Sequence, residues 1–92
     1  MIFNIINSNN IETIKMCIMQ MKPQDFMLFM GEAVNMLTTA EIRQSIPKTS
    51  LVLEQEAKAK AVTDIIPKSI KIINYDEFAQ NIILCQKSIT WN

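Results

Sequence analysis

The chain has 92 residues, of which 49% are hydrophobic and 20% charged, and its nine Lys and Arg residues balance its nine Asp and Glu residues. This length predicts one domain over residues 1–92 with a modest core, and the high apolar fraction leaves apolar side chains for contact with partner subunits. Both signs of charge are mixed along the chain, which argues against independent nucleic-acid binding.

Several kinds of site are excluded by residue types that the sequence lacks. It has no histidine, and its two cysteines, Cys17 and Cys85, stand far apart without companion ligands, which excludes a zinc site and a Cys-His catalytic pair. Its one glycine, Gly31, excludes a P-loop or a dinucleotide fingerprint. We therefore expect neither a metal nor a cofactor.

The sequence predicts a cytoplasmic protein without membrane contact. Its longest apolar run, residues 26–30, is too short to span a bilayer. The N-terminus has no charged segment followed by an apolar stretch, so secretion is not indicated.

The first predicted elements are a buried strand at residues 2–6 and a helix that follows a polar cluster. Apolar residues three and four positions apart place one stripe on this helix, until Lys22 and Pro23 end it. The stripe comprises Ile11, Ile14, Ile18 and Met21.

The second predicted strand is the apolar run at residues 26–30, followed by a helix that begins near Gly31. Thr38 and Thr39 indicate a break in that helix, with a short further helix through Ser45. The inner face is predicted to carry Ala33, Leu37 and Ala40.

A third strand is predicted at residues 50–54 with a helix at 55–62, and a fourth strand at 70–74. Asn74 is a good N-cap for the last helix, whose predicted inner stripe comprises Tyr75, Phe78, Ile82 and Cys85. Alternating strands and helices predict a small three-layer α/β/α domain with a mainly parallel sheet of four or five strands.

Residues 72–92, IINYDEFAQNIILCQKSITWN, combine an Ile-rich strand, a Tyr-Asp-x-Phe helix start and a tryptophan close to the C-terminus. This stretch resembles the DsrH/TusB family of sulfur-relay subunits, and the resemblance covers nearly the whole chain. Residues 27–37, MLFMGEAVNML, are similar to the family's apolar strand and following helix, although the order of the residues from Gly31 to Val34 departs from the family pattern.

The resemblance implies a DsrE-type fold and a heterohexamer formed with two homologous small subunits, which passes persulfide sulfur from a donor to an acceptor protein. In TusB branches the sulfur goes towards 2-thiouridine at the tRNA wobble position, whereas DsrH-type subunits act in sulfur oxidation. The best-supported carrier cysteine of the family sits on a partner subunit, but some DsrH members have a cysteine in the first helix, close to the position of Cys17.

The residues around Cys17 favour a packing role. Helical spacing places it at the border of the apolar stripe, beside Thr13 and Gln20, where it would be partly exposed. No cation and no helix N-terminus lies near it in sequence, so we expect a thiol pKa near the ordinary value of about 8.5. Cys85 is predicted to lie in the core.

Two surfaces are candidates for binding. Ligand sites in open α/β sheets gather at the carboxyl ends of the strands, although residues there also serve as caps and turns. This strand-end rim comprises Asn7, Ser8, Gly31, Glu32, Glu54, Tyr75 and Asp76. The candidate interface residues, which point away from the inner stripes, are Met16, Met19, Ile83 and Leu84.

Three hypotheses follow from these patterns. The first is a mainly structural subunit of a sulfurtransferase complex. The second is a sulfur carrier in which Cys17 itself accepts a persulfide. The third is a free-standing α/β protein that forms homo-oligomers and serves another role.

Overall fold

The structure, a computed structural model, describes residues 1–60, 62–85 and 87–92. The strands are β1 Ile2–Ile6, β2 Phe26–Phe29, β3 Ser50–Leu53, β4 Lys71–Ile73 and β5 Lys87–Trp91. The α-helices are α1 Ile11–Gln20, α2 Ala40–Ser45, α3 Glu54–Ala59 and α4 Tyr75–Leu84, and 3₁₀ helices span Gly31–Thr38 and Thr63–Ile65.

The strands form one parallel sheet in the order β4-β3-β2-β1-β5. From β1 to β4 the chain steps across the sheet in one direction, and it then crosses back to place β5 at the opposite edge. Because such crossovers are right-handed, the reversal puts α4 on the other face of the sheet from the earlier helices. The predicted α/β fold with a mainly parallel sheet is confirmed.

The face covered by α1, α2, α3 and the two 3₁₀ helices holds the larger core. Strand residues of this core alternate along the sequence, as expected for one face of a pleated sheet. Its fully buried side chains include Ile6, Ile14, Cys17, Met27, Phe29, Val34, Leu37, Ile42 and Val52.

Among the described residues, α4 is the one helix that covers the opposite face. Its core consists of Phe3, Leu28, Leu51, Leu53, Ile73 and Cys85. The ring of Phe78 lies 5.8 Å from that of Phe3, yet α4 itself has no fully buried residue. One helix about 10 Å wide covers only part of a five-stranded sheet, so Ile5 and Met30 remain half-buried.

The helix starts follow from side-chain caps. The Asn10 Oδ1 atom accepts the backbone N–H of Glu12 at 2.9 Å at the start of α1. At α4 the Asn74 side chain accepts the backbone N–H of Glu77, whose carboxylate accepts that of Asn74. This reciprocal capping box satisfies donors that a helix N-terminus otherwise leaves without partners.

Some expectations about individual elements were wrong. Tyr75 is half exposed and Ala40 is exposed, because each is the first residue of its helix and the core-facing residues come later, Ile42 in α2 and Phe78 in α4. The last helix ends at Leu84, and Cys85 is buried just beyond it. The third strand ends at Leu53, since Glu54 already begins α3.

Two further differences concern helix type and length. The helix that begins at Gly31 is a 3₁₀ helix, and the break predicted at Thr38 and Thr39 separates it from α2. The helix predicted at 55–62 ends at Ala59, and Ala61 lies outside the described residues.

Candidate functional site

Cys17 lies deep in the larger core, at the end of the second turn of α1. Its side chain has no solvent exposure, contrary to the expectation of partial exposure. The helical projection placed it at the edge of the stripe, but the sheet and the chain after α1 cover that edge. Because the helix of a βαβ unit runs back against its strands, Cys17 is nearer the amino ends of the strands than the strand-end rim.

The Cys17 thiol is held in its protonated form. Burial raises its pKa to about 12, and the negative charge of Asp25 contributes in the same direction. The expected near-ordinary pKa was therefore wrong, because neighbours along the helix do not reveal the desolvation that the packed core imposes on the thiol. A thiol with this pKa is a poor nucleophile at neutral pH.

Cys85 lies in the smaller core, on the opposite face of the sheet from Cys17. Burial is the largest cause of its raised pKa. The structure therefore separates the two thiols by the sheet itself, and both are free.

Asp25, immediately before β2, is a buried carboxylate that joins several segments. Its Oδ1 accepts the backbone N–H of Ile2 at 2.9 Å, and its Oδ2 accepts that of Lys22 at 3.0 Å. Its own carbonyl accepts the hydroxyl of Thr49 at 2.7 Å. The N–H of Lys22, followed by that of Ile2, holds the pKa of the Asp25 side chain below its usual value despite partial desolvation.

A second polar cluster ties β5 to the sheet. The buried Asn4 side chain donates to the carbonyl of Phe26 at 3.2 Å and accepts the indole N–H of Trp91 at 3.1 Å. Trp91 also accepts the backbone N–H of Asn7 through its carbonyl, at 2.9 Å. Among the described side chains, no buried nitrogen or oxygen atom lacks a hydrogen-bond partner.

The strand-end rim is spread along the carboxyl edge of the sheet, and most of its charged groups are paired. Glu32 forms an ion pair with Lys60 at 3.1 Å, and Glu54 forms one with Lys58 at 3.3 Å. Asp76 lies in the first turn of α4, at the far side of the sheet from Asn7. The structure does not gather these residues into one cleft.

Gly31 and Asn7 follow neighbouring strands of the rim and approach each other closely. Gly31 has a φ of +57°, and a Cβ atom at this position would overlap the side-chain oxygen of Asn7. Glycine is therefore needed here both for the left-handed backbone and for the close approach.

Sequence reasoning missed Asp25 and Asn4 as organising residues. Each had a signal: Asn4 is the one polar residue within the first strand, and Asp25 directly precedes an apolar strand after a Lys-Pro turn. A polar residue in a buried strand requires hydrogen-bond partners, but the sequence does not identify them.

The remaining cavities and clusters offer little for a ligand. An open cavity of about 300 Å³ is lined by Ala40, Arg43, Gln44 and Pro67. No group of three or more metal-ligating side chains occurs in residues 1–60, 62–85 and 87–92. No helix in the same ranges is long and apolar enough to cross a membrane.

The candidate interface residues are exposed. The side chains of Met19 and Ile83 are 84% and 81% exposed, and those of Met16 and Leu84 also face solvent. The structure places them on two helices, α1 and α4, that cover opposite faces of the sheet.

The fold and the thiols define a small parallel α/β protein whose cysteines are buried and whose outer helices carry exposed apolar side chains. A family model described as "DsrH like protein" matches residues 8–88 of the 92. The chain belongs to this DsrH-like family and is a sulfur-relay related subunit. No curated protein matches the sequence.

Proposed function

We propose that the protein is a mainly structural subunit of a cytoplasmic sulfurtransferase complex that passes persulfide sulfur towards 2-thiolation of the tRNA wobble uridine. Residues 1–92 act as one DsrH-like domain in this proposal. The observation that carries it is the family match over residues 8–88 together with the burial of Cys17.

The chemistry of sulfur transfer explains why the burial of Cys17 supports a structural role. An acceptor thiolate attacks the outer sulfur of a donor persulfide, a new S–S bond forms, and the donor leaves as a thiolate. This step requires an accessible, deprotonated acceptor. Cys17 is neither accessible nor deprotonated at neutral pH, so the carrier thiol belongs to a homologous partner subunit.

The exposed apolar residues of α1 and α4 supply the contacts with those partners in this proposal. Burying Ile83 or Leu84 against a partner would contribute about 1.5–3 kcal/mol each. Met16 and Met19 suit an adaptable second contact, because methionine side chains are flexible and polarisable. Their placement on opposite layers favours a subunit that contacts two neighbours, as a heterohexamer requires.

The proposal is tested with the complex isolated from its native cell through a tagged copy of this chain. We expect two small homologous subunits to copurify, and sulfur delivery to continue when Cys17→Ser replaces the natural chain. Mass spectrometry of each subunit after incubation with a persulfide donor should find the added sulfur on a partner.

Three outcomes would change the assignment. A Cys17→Ser complex that assembles but no longer delivers sulfur would make this chain the carrier. Unchanged wobble-uridine thiolation in cells that lack the gene, with loss of sulfur oxidation, would assign the DsrH-type pathway instead. Recovery of the tagged chain only with copies of itself would favour the free-standing homo-oligomer.

A further inference from the structure

The end of α1 connects the buried Cys17 to Asp25 through consecutive hydrogen bonds. The backbone N–H of Met21 donates to the carbonyl of Cys17 at 3.1 Å, which closes the last turn of the helix. The next residue, Lys22, donates its N–H to the Asp25 carboxylate at 3.0 Å. The Asp25 carboxylate therefore holds Lys22, the residue immediately after the helical turn that runs from Cys17 to Met21.

The same carboxylate anchors this connection to the sheet. Its second oxygen accepts the N–H of Ile2 at the start of β1, and the hydroxyl of Thr49 holds its carbonyl from the segment before β3. The Asp25 N–H also donates to the carbonyl of Lys22 at 3.0 Å. Asp25 thus joins the α1–β2 connection to the start of β1 through its side chain and to the segment before β3 through its backbone carbonyl.

Apart from the packing of Ile18 and Met21 against the larger core, the described residues provide few other contacts that hold the C-terminus of α1. Its last turn contains no basic residue to interact with the helix dipole, and Met21 follows it in an extended conformation, with Pro23 two residues later. The ion pair between Lys15 and Glu41 holds the helix nearer its middle. Loss of the Asp25 contacts would therefore release the last turn before it released the sheet.

We propose that Asp25 is a latch, and that its release is the local opening through which the Cys17 thiol becomes accessible while the rest of the fold stays intact. The charged groups that act on Asp25 are the amino terminus of the chain and Lys22. The inference goes beyond the proposed function, because it concerns access to the thiol whether or not Cys17 carries sulfur.

The test measures alkylation of the two cysteines by iodoacetamide in the intact chain, with peptide mass spectrometry to quantify each separately. Cys85 lies on the other face of the sheet and reports global unfolding, whereas Cys17 reports both global unfolding and the local opening. The Asp25→Asn substitution removes a charged hydrogen-bond acceptor. The alkylation rate of Cys17 relative to that of Cys85 should therefore rise by about tenfold or more.

A matched control removes the same charge elsewhere. Asp64→Asn, at an exposed position in the 3₁₀ helix Thr63–Ile65, should leave the ratio of the two rates unchanged. Because Asp25→Asn also removes a charge that raises the pKa of both thiols, hydrogen exchange at the amide of Met21 provides a readout that is independent of thiol ionisation. This amide should exchange faster in Asp25→Asn while amides of the central strands do not.

Two results would overturn the proposal. Equal acceleration at Cys17 and Cys85 would mean that Asp25 supports only global stability, and an unchanged Cys17 rate would mean that it does not control access. If Asp25→Asn does not fold, Thr49→Val removes one hydroxyl donor to the Asp25 carbonyl and should raise the same ratio by a smaller factor. No change in the ratio for Thr49→Val would then contradict the latch.

Discussion

The Cys17 thiol lies between α1 and the sheet, where its thiolate would lose the solvation it has in water. Desolvation therefore outweighs every local feature of the helix and raises the pKa of Cys17 to about 12. A thiol at the exposed position of Met19 on the outer stripe of α1 would keep its solvation. Reactivity at this position is thus set by packing.

The raised pKa of Cys17 predicts a specific loss of stability at alkaline pH. The native thiol binds its proton more tightly than the unfolded one, so its contribution is complete below the unfolded pKa and is lost as pH rises towards the folded pKa. With an unfolded pKa of about 8.5, the loss at pH 10 is about 2 kcal/mol relative to neutral pH.

Urea unfolding of the natural chain and of Cys17→Ala at pH 7 and pH 10 measures this effect. The variant should be less stable at pH 7, because truncation leaves a small cavity, but its stability should fall less between the two pH values. Cys85 is present in both proteins and serves as the common background. Parallel pH dependence in the two proteins would contradict the assigned pKa.

Gly31 supports a second prediction at this scale. Gly31→Ala should lower the free energy of unfolding by about 1–2 kcal/mol, since alanine is unfavourable in the left-handed conformation. Its Cβ would also displace the Asn7 side chain. Thermal unfolding of Gly31→Ala, Asn7→Ala and the double variant separates these two causes.

The double variant relieves the overlap but keeps the strained backbone. We therefore expect it to be less destabilised than the sum of the two single variants, yet still less stable than Asn7→Ala alone. A double variant as stable as Asn7→Ala would show that the backbone conformation carries no cost here.

At the scale of elements, α4 has a special position because it alone covers one face of the sheet. It has no fully buried residue, so its stability depends more on its own ends than that of α1 does. The capping box between Asn74 and Glu77 is consequently an important local contribution.

Asn74→Ala should reduce the free energy of unfolding by about 1 kcal/mol, because it leaves the first-turn N–H of Glu77 without its acceptor. For a chain of this size the melting temperature should fall by about 4–8 °C. Asn9→Ala is the matched control, since Asn9 is exposed and precedes α1 without capping it. Equal decreases in melting temperature for Asn74→Ala and Asn9→Ala would show that loss of the cap is not the cause.

At the scale of the whole molecule, the two layers of helices differ in how well they cover the sheet. The α1 side is closed by three α-helices and two 3₁₀ helices, whereas the α4 side has one helix and half-buried strand residues beside it. Exposed Ile83 and Leu84 extend the apolar surface of that thin layer. A partner subunit would complete the burial that α4 provides only in part.

Ile83→Glu combined with Leu84→Glu should leave the isolated chain folded and weaken its association with partner subunits. Both side chains face solvent in the isolated chain, so their replacement costs little until an interface must bury the new charges. Size-exclusion chromatography with light scattering on the coexpressed complex measures the association, and circular dichroism checks the fold.

Thr63→Glu combined with Ile65→Glu is the control, because it adds two acidic residues at exposed positions outside α1 and α4. It should leave the mass of the complex unchanged. An unchanged mass for the Ile83 and Leu84 variant as well would exclude this end of α4 from the interface.

Most of the secondary structure could be predicted from hydrophobic periodicity. The apolar runs at residues 2–6 and 26–30 located two strands, and the spacing from Ile11 to Met21 located α1 with its end before Pro23. The 72–92 and 27–37 segments carried the family resemblance that the family match confirms. These features depend on neighbours along the chain, which the sequence contains explicitly.

Strand β5 escaped prediction because it lies at an edge of the sheet. Its residues alternate weakly between exposed and half-buried positions, so they form no apolar run. Its position beside β1 depends on the crossover from the far edge and on the contact between Trp91 and Asn4. Pairing over such a separation leaves no local pattern in the sequence.

The sequence by itself determined the alternation of strands and helices from β1 to α4, most of their apolar faces and membership of a sulfur-relay family. Only the tertiary structure decided which side chains lost contact with water and which distant groups met. It buried Cys17 completely, joined Asp25 to Ile2 and Thr49, and spread the strand-end rim along the sheet edge. The physical reason is that periodicity follows from backbone geometry, whereas desolvation and long-range hydrogen bonds depend on the packing of segments far apart in the chain.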